Sequence, residues 1–271
     1  MLWEEIQNIS KNRAETIQQT FQEHLQKTIL TYLSKKTAFN HIVFQGGTAL
    51  RIFYNNPRFS EDLDFVLKNS KEKYDLSKNT QTIKNHIKNT YPFLEETTTK
   101  SQKTNTKIQR TIIKTISQNP HQKIQIHIEL AQIPSYKNQP RILNFPPFNP
   151  AITVEKPMEI LADKITALGL REYIKGRDLW DIYYLTVEHK IKIDSKLVSQ
   201  KIKDYEYTKE QYFEKLRITK GLLKEKGKNV LENEMKRFLP KSLLDQYQGQ
   251  FGTINEHVIN ITRNILGEKT K

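Results

Sequence analysis

Cysteine is absent from the 271 residues of this sequence. Its absence excludes disulfides and thiolate metal sites, so oxygen or imidazole ligands must hold any metal ion. Long apolar runs are also missing, and none approaches the roughly 18–20 residues that cross a bilayer. The first residues, Met1-Leu2-Trp3-Glu4-Glu5, are acidic and amphipathic rather than basic and then apolar, which argues against a signal peptide. We therefore expect a cytoplasmic protein with no membrane partner.

Acidic residues are too few to balance the basic ones. Asp and Glu number 30 against 44 Lys and Arg, which leaves a formal charge of +14. An excess of this size favours a polyanionic partner such as nucleic acid. A genome bias toward Lys, Asn and Ile is the alternative explanation, and the abundance of Asn suits it as well. The hydrophobic content of 36% is typical of a globular protein, built as one large domain or two small ones.

Hydrophobic periodicity divides the chain into two parts. The periodicity predicts one amphipathic helix over residues 2–36 and short strands at 41–44 and 62–67. The remaining elements are predicted as a helix at 78–90, alternating strands at 107–116 and 122–131, a proline-rich loop over 134–150, and helices at 158–170, 177–188, 195–205, 208–226, 228–238 and 254–266. The pattern predicts an α+β fold, with a mixed-sheet domain over 1–150, including the N-terminal helix, and a helical bundle domain over 151–271.

Two aspartates open the second predicted strand. Asp62 and Asp64 are two residues apart, so on a strand both project from one face, while Leu63 and Phe65 point to the core. Adjacent carboxylates repel one another unless a cation lies between them, and Mg²⁺ prefers such oxygen ligands. The pair therefore predicts a magnesium site, with Mn²⁺ as the other suitable ion. A solvated strand edge is the alternative.

Gly46-Gly47-Thr48 lies between the first strand and a short helix that we expect to run through Phe53. The glycines let backbone N–H groups approach a ligand closely, and the positive end of the following helix attracts phosphate. Thr48 is the expected cap of this helix. The motif fits an ordinary tight turn equally well, but beside the aspartate pair it predicts a phosphate cradle next to a metal site.

These residues carry a resemblance to a known family. Gly46-Gly47-Thr48-Ala49-Leu50-Arg51, followed by Arg58-Phe59-Ser60-Glu61-Asp62-Leu63-Asp64-Phe65, resembles the AbiEii/AbiGii toxin family of the DNA polymerase β-like nucleotidyltransferase superfamily. The superfamily signature is Gly-Gly or Gly-Ser, a short helix and then Asp-x-Asp, and Thr48 stands where many members carry Ser. Two later stretches, 159–168 and 175–185, resemble the family's helical lysine motif and its Arg-Asp-x-x-Asp motif. The four motifs follow the family's order over about residues 40–190.

The resemblance implies a nucleotidyltransferase-like mixed sheet followed by a helical bundle that contributes to the active site. It also implies that a neighbouring strand supplies a third metal ligand, and Glu129 is our choice beside Asp62 and Asp64. His127 shares the strand face of Glu129 and is an open alternative, because imidazole also binds metal. A face that is simply solvated is the other alternative.

In the helical half, the resemblance makes Lys164 a ligand of the triphosphate. Lys164 is four residues from both Ile160 and Leu168, beside the apolar stripe, so it must either snorkel or meet an anion. Asp178 and Asp181 share one helix face. One of them is expected to activate the acceptor hydroxyl or to orient Lys164, with Asp178 preferred. The alternative is that both aspartates serve the N-terminus of this helix, as a cap and as a first-turn acid favoured by the helix dipole.

The implied reaction moves an NMP from an NTP to an acceptor. The predicted catalytic residues are Asp62, Asp64, Lys164 and Asp178, the metal ligands are Asp62, Asp64 and Glu129, and the nucleotide contacts are Gly46, Gly47, Thr48, Arg51, Ser60, Lys164, Lys175 and Asp181. Twelve basic against four acidic residues between Val66 and Lys123 suit an RNA backbone. The family implies tRNA or another RNA as acceptor, and a protein or small molecule is the alternative acceptor. It also implies a toxin of a toxin–antitoxin or phage-defence system, with an antitoxin partner.

Two further hypotheses come from other functional classes. The first is a catalytically silent nucleotide- or RNA-binding protein on the same fold, although such a protein is expected to lose Asp62, Asp64 or Lys164. The second is a basic structural or antitoxin-type protein in which the carboxylates are only surface charge. Incubation with labelled NTP, RNA and Mg²⁺ separates these hypotheses.

Overall fold

A computed structural model describes residues 1–13, 15–103 and 108–268 of the chain. The chain forms two compact units. The sheet unit comprises Met1–Asn55 and Phe59–Glu155, and the helical unit comprises Asn56–Arg58 and Lys156–Lys271. Among the described residues, no helix combines the length and the apolar character needed to span a membrane.

The N-terminal region of the sheet unit contains two helices, α1 (Trp3–Arg13) and α2 (Ile17–Lys35). The prediction of one helix over 2–36 is therefore wrong. Thr16 has an extended backbone, and its side chain accepts the backbone N–H of Gln19, whose own side chain returns to Thr16. This reciprocal capping begins a new helix at a place where the apolar periodicity alone suggests no break.

Within the described residues, seven strands form one mixed sheet in the order β3-β4-β5-β2-β1-β7-β6. The strands are β1 (Ile42–Gln45), β2 (Leu63–Leu67), β3 (Glu96–Lys103), β4 (Ile108–Ile116), β5 (Gln125–Pro134), β6 (Asn138–Ile142) and β7 (Ala151–Glu155). Helices α3 (Gly46–Phe53) and α4 (Thr80–Thr90) complete this unit. Strand β2 pairs antiparallel with β1 and parallel with β5, so the predicted aspartate strand lies inside the sheet.

The two faces of the central strands differ in polarity. Leu63 and Phe65 are buried, as predicted, and the Phe65 ring lies 5.3 Å from that of Phe44 on β1. The opposite face carries the aspartates and continues along the strands into a small apolar cluster of Val43, Val66 and Ile133. The alternation of strand side chains therefore places the carboxylates on one face and the main aromatic core on the other.

The proline-rich stretch after β5 is not only a loop, so the prediction of a loop over 134–150 is wrong. It contains the edge strand β6, in which Pro140 lies opposite Thr153 of β7. Proline is tolerated on an edge strand because one side of the strand needs no backbone donor. Strand β7 then pairs parallel with β1, so the sheet unit extends beyond the predicted boundary at residue 150 to Glu155.

The helical unit contains helices α5 (Pro157–Leu170), α6 (Gly176–Tyr183), α7 (Ser195–Asp204), α8 (Lys209–Leu222), α9 (Lys228–Phe238), α10 (Lys241–Tyr247) and α11 (Phe251–Ile265). Helices α6 and α8 continue into π-helical turns over Tyr184–Glu188 and Leu223–Gly227. These turns explain why the sequence predicts longer helices at both places. Helix α10 was not predicted because it buries no residue and so has no apolar stripe. The predicted α+β class, a mixed sheet followed by a helical bundle, is confirmed.

Candidate active site

The aspartate pair lies at the start of β2, on one face of the sheet. The parallel register places Asp64 opposite Glu129 of β5. Asp62 lies just before the strand, and its Oδ1 is 3.5 Å from Nδ1 of His127. The side chains of Asp62 and His127 are 35% and 31% exposed. The fold thus places both aspartates and both candidates for the third ligand at neighbouring positions along β2 and β5, with Asp62 and His127 partly exposed.

The two candidates have different partners. Glu129 accepts Nε of Arg110 on β4 at 2.8 Å, and Nη2 of Arg110 lies 2.7 Å from the same oxygen. His127 instead faces Asp62. Glu129 would therefore have to exchange its arginine for a metal ion, whereas His127 already adjoins one carboxylate of the pair. The choice between them stays a prediction.

Gly46 brings the start of α3 against Asp64. Its φ of +79° lies in the left-handed region that favours glycine. A Cβ at this position would lie 2.7 Å from Oδ2 of Asp64, so the carboxylate occupies the space that a side chain would need. Gly47 follows in the buried first turn of the helix. Both glycines therefore lie at a positive helix end, which favours anions.

Thr48 does not cap α3, so that prediction is wrong. The cap position is Gln45, and Thr48 lies within the helix, where its hydroxyl donates a hydrogen bond to the carbonyl of Asp62. The two preceding carbonyls are also bound by side chains, since Gln26 donates to Ser60 at 2.9 Å and Gln22 donates to Glu61 at 3.2 Å. The backbone that leads to the aspartates is therefore held by three side chains.

Arg51, a predicted nucleotide contact, is engaged with carboxylates of the N-terminal helical region. Its Nε lies 3.0 Å from Oε2 of Glu23, its Nη2 lies 2.5 Å from Oε1 of Glu15, and its side chain is 14% exposed. Burial opposes ionisation of Glu23, but the charges of Lys27 and Arg51 outweigh it and lower the pKa of Glu23 to about 2. These pairs attach α3 to α2.

Lys164 of α5 lies between two carboxylates of α6. Its Nζ is 2.7 Å from Oδ1 of Asp178 and 2.9 Å from Oδ2 of Asp181. The sequence predicts that Lys164 either snorkels or meets an anion. Asp178 and Asp181 of the same unit are those anions. Both aspartates orient Lys164, so the geometry does not select one of them.

The cluster around Lys164 extends to two arginines. Arg58 donates from Nε to Oδ1 of Asp181 at 2.6 Å and from Nη2 to Oδ2 at 2.5 Å. Asn56 donates to Asp181 at 2.9 Å and accepts Nε1 of Trp180 at 3.0 Å. At the other end, Arg171 pairs with Asp178. We call the five charged groups the ion-pair cluster; they are Arg58, Asp181, Lys164, Asp178 and Arg171.

The ion pairs outweigh the cost of burial in this cluster. Desolvation opposes the charge on Lys164, yet Asp178 and Asp181 raise the pKa of the lysine above its usual value. Desolvation likewise opposes ionisation of both aspartates. Lys164 and Arg171 nevertheless hold the pKa of Asp178 well below its usual value, and Arg58 and Lys164 lower that of Asp181. Lys164, Asp178 and Asp181 are therefore charged at neutral pH.

The N-terminus of α6 is capped by a residue distant in sequence. The carboxylate of Glu234 accepts the backbone N–H groups of Gly176 and Arg177, both at 3.0 Å. Asp178 is a first-turn acid of α6, as the alternative expects, but neither aspartate caps the helix, and both carboxylates contact Lys164. Lys175 precedes the helix, and its Nζ lies 5.8 Å from the ring centre of the exposed Tyr173.

A family model described as the nucleotidyl transferase AbiEii toxin of type IV toxin–antitoxin systems matches residues 28–254. The chain belongs to this family. The predicted resemblance is confirmed, and the chain is a nucleotidyltransferase of a toxin family.

Solved structures from Helicobacter pylori share the AbiEii-family fold of this chain. JHP933 has 17% sequence identity and a TM-score of 0.54, with 93% of each chain covered. A structure described as a candidate nucleotidyltransferase has the same identity and TM-score, covering 93% of this chain and 96% of its own. At this level of identity, the likeness concerns the fold alone. No curated protein matches the chain.

The carboxylates of this AbiEii-family chain suit a small divalent ion. Within residues 1–13, 15–103 and 108–268, no three His, Cys, Asp or Glu side chains are grouped as metal ligands. Mg²⁺ is commonly bound through one or two carboxylates, with waters and substrate phosphates completing its shell. Asp62 and Asp64 fit that mode as a two-carboxylate set. His127 or Glu129 would add a neighbouring ligand.

Several residues around these sites were missed from the sequence. Arg58 lies within the stretch 58–65 that resembles the family, but its partner Asp181 is 123 positions away, and no local pattern connects them. Glu234 is equally remote from the helix that it caps. Gln22 and Gln26 did carry a signal, because they are four residues apart and Gln26 is a polar residue on the buried side of a helix.

Proposed function

We propose that this AbiEii-family chain transfers a nucleotidyl group from an NTP to an RNA acceptor, with tRNA as the first candidate. Asp62 and Asp64 would hold Mg²⁺ or Mn²⁺. The supporting observation is the placement of both aspartates on one open sheet face, with the glycine start of α3 directly against Asp64. A metal-binding pair beside a phosphate-binding helix end suits the transfer of a nucleotide.

The chain's residues divide the work of this reaction. When bound, the ion would polarise the α-phosphate and screen the charge of the leaving pyrophosphate. Asp62 and Asp64 hold their carboxylates on one face, and Gly46 and Gly47 offer backbone N–H donors to phosphate oxygens. Lys164 is the proposed cation for the triphosphate. Its carboxylate partners fix the ammonium and keep it charged at neutral pH.

The RNA acceptor is supported by basic residues on the sheet. Lys100 of β3 and Lys114 of β4 are exposed. Strand pairing places Lys100 opposite Ile112, and β4 carries Ile112 and Lys114 on the same side as Arg110, which lies opposite Glu129. These lysines therefore lie on the sheet face of Asp64. An RNA backbone is the polyanion that suits this face and the overall charge of +14.

The direct test is incubation of the purified protein with Mg²⁺, total RNA and each of the four α-³²P-labelled NTPs in turn. We expect label in a tRNA-sized band with the wild type and none with Asp64→Asn. RNA binding without label would favour the catalytically silent alternative. Neither binding nor labelling would favour the basic structural or antitoxin-type protein. Label on the protein itself would contradict the RNA acceptor but leave nucleotidyl transfer standing.

Toxin action can be tested in cells. Expression of the wild type is expected to slow bacterial growth and amino-acid incorporation, and Asp64→Asn is expected not to, because charge-driven RNA binding alone weakens strongly with salt. A cognate antitoxin, proposed from the family of this chain, should restore growth. Equal toxicity of the two proteins would show that sequestration, rather than catalysis, causes the effect.

A further inference from the structure

We infer that Gln22, Gln26 and Thr48 are positioning residues that set the orientation of Asp62. The inference rests on the proposed metal-binding role of that aspartate. The three side chains hold the consecutive backbone carbonyls of residues 60–62, immediately before the catalytic strand β2. We call this arrangement the carbonyl clamp.

The clamp draws on two helices. Gln26 Nε2 donates to the carbonyl of Ser60 at 2.9 Å, and Gln22 Nε2 donates to that of Glu61 at 3.2 Å. Both glutamines lie on α2, one helical turn apart, so their amides project from the same face. The hydroxyl of Thr48 on α3 donates to the carbonyl of Asp62. The segment is therefore held from both helices.

The segment depends on such contacts because residues 59–62 lie outside the strand ladder, which begins at Leu63. Backbone carbonyls without a sheet partner need other donors when water is limited. Asp64 is different, since its backbone belongs to β2 and pairs with β1 and β5. The ladder orients Asp64, whereas the clamp orients Asp62, and a metal ion shared by both carboxylates needs both orientations at once.

Burial shows that the clamp is a specific arrangement. Gln26 is 1% exposed and Thr48 is fully buried. Burial of an amide or a hydroxyl is unfavourable unless the group is hydrogen-bonded. Here the carbonyls of Ser60 and Asp62 accept from Gln26 and Thr48. The helices that carry the donors are themselves tied together, because Arg51 of α3 pairs with Glu23 of α2 at 3.0 Å. The donors thus lie on two helices that are joined by an ion pair.

The decisive variant is Gln26→Met, which keeps the length of the side chain and removes the donor. We expect Mn²⁺ affinity, followed by electron paramagnetic resonance with Mn²⁺ alone, to fall by about 10–100-fold, as is usual when outer-shell partners of metal ligands are lost. kcat should fall in the same range with the KM for NTP nearly unchanged. Hydrogen exchange should accelerate in the peptide that covers residues 59–65.

Thr48 supplies a second arm with a conservative rescue. Thr48→Val removes the hydroxyl at nearly constant volume and should reproduce the effects of Gln26→Met, while Thr48→Ser should restore Mn²⁺ affinity. Gln18→Met and Thr28→Val are the matched controls on α2. Gln18 donates to the carbonyl of Lys123 through an exposed hydrogen bond, and Thr28 bonds the buried hydroxyl of Tyr91, so each control loses a contact away from residues 60–62.

The clamp is overturned if Gln26→Met and Thr48→Val match the controls in Mn²⁺ affinity, kcat and exchange over residues 59–65. Failure of the proposed function has a different signature. If the wild type binds Mn²⁺ no better than Asp62→Asn, the metal role of the aspartates is lost. Exchange over residues 59–65 still decides whether the clamp holds the segment.

Discussion

The sheet unit and the helical unit both gather aspartates, but they treat the charge in opposite ways. Asp62 of the sheet unit is 35% exposed and lies in a group of carboxylates on one open face. Asp178 and Asp181 of the helical unit are 5% and 0% exposed, and each contacts two cations. The carboxylates on the half-open sheet face are accessible to a metal ion, whereas the buried carboxylates of the helical unit are already paired with cations.

In this chain, a perturbed pKa does not by itself identify a functional residue. The pKa of Asp178 lies far below its usual value, which often marks a functional residue. Its ion pairs with Lys164 and Arg171 account for the direction of that shift without any ligand. Mutations in the two units should therefore differ most in their effect on stability.

The largest effect is expected from Asp64→Asn in the sheet unit. Transfer should fall by about 1000-fold or more, because a bound ion contributes several kcal/mol of transition-state stabilisation. The melting temperature without metal should stay the same or rise, since one of two repelling charges is removed. Labelled NTP transfer and differential scanning fluorimetry measure the two quantities. Glu96→Gln on an edge strand is the control, and a large loss of stability in Asp64→Asn would erase the contrast.

Asp181→Asn in the helical unit should strongly reduce stability, and the weaker hold on Lys164 should lower transfer as well. Arg58, whose side chain is 2% exposed, and Lys164 would lose their shared carboxylate. Removing one partner of a buried ion pair commonly costs about 3–5 kcal/mol, which urea unfolding would detect. Lys236→Ala breaks a surface pair with Glu232 at 3.0 Å and should cost less than about 1 kcal/mol. Equal losses in both variants would show that the cluster contributes little.

A pH series should separate the loss of stability caused by His24 from the loss caused by the buried aspartates. Burial, with the nearby charges of Lys27 and Arg13, lowers the pKa of His24 in the sheet unit from 6.5 to about 4. The unfolded chain therefore binds this proton first, and stability should drop by up to about 3 kcal/mol as pH falls from 6.5 to 4. The lowered pKa values of Asp178 and Asp181 instead remove stability only below their usual value of about 4.

The variant for this experiment is His24→Phe, which should flatten the decline between pH 6.5 and 4 in urea unfolding. Its ring would pack against Phe145, whose centre lies 5.5 Å from that of His24. His121→Gln, at an exposed position, is the control. An unchanged slope in His24→Phe would remove His24 as the source of the decline.

Gly46→Ala is expected to have a modest effect on stability. The left-handed backbone should cost about 1–2 kcal/mol with a Cβ present, and the contact with Asp64 should displace that carboxylate and reduce transfer. Gly249→Ala is the control, because a Cβ there meets nothing within 4 Å. Thermal unfolding and the labelling assay report the two effects. Full activity in Gly46→Ala would show that the approach of α3 to Asp64 is not needed.

The parts of the fold that were predictable have local signals. The Asp62–Asp64 strand and the Gly46-Gly47 helix start follow from short-range periodicity and glycine placement. The polar edge strand β3 and the proline-containing edge strand β6 were not predicted. An edge strand needs no apolar alternation, so its sequence resembles that of a loop. Helix α1 merged with α2 in the prediction, since a capping box interrupts a helix without changing its apolar spacing.

By itself, the sequence determined the family of this chain, its α+β class and the shared face of its two aspartates. Those properties rest on residue identity and on the period of two along a strand. Three contacts are apparent only in the folded chain. Glu129 pairs with Arg110, and both Asp178 and Asp181 contact Lys164. Side chains of α2 also bind the backbone before Asp62. Such partners are distant in sequence, and their contacts depend on strand order and helix packing, which leave no local pattern.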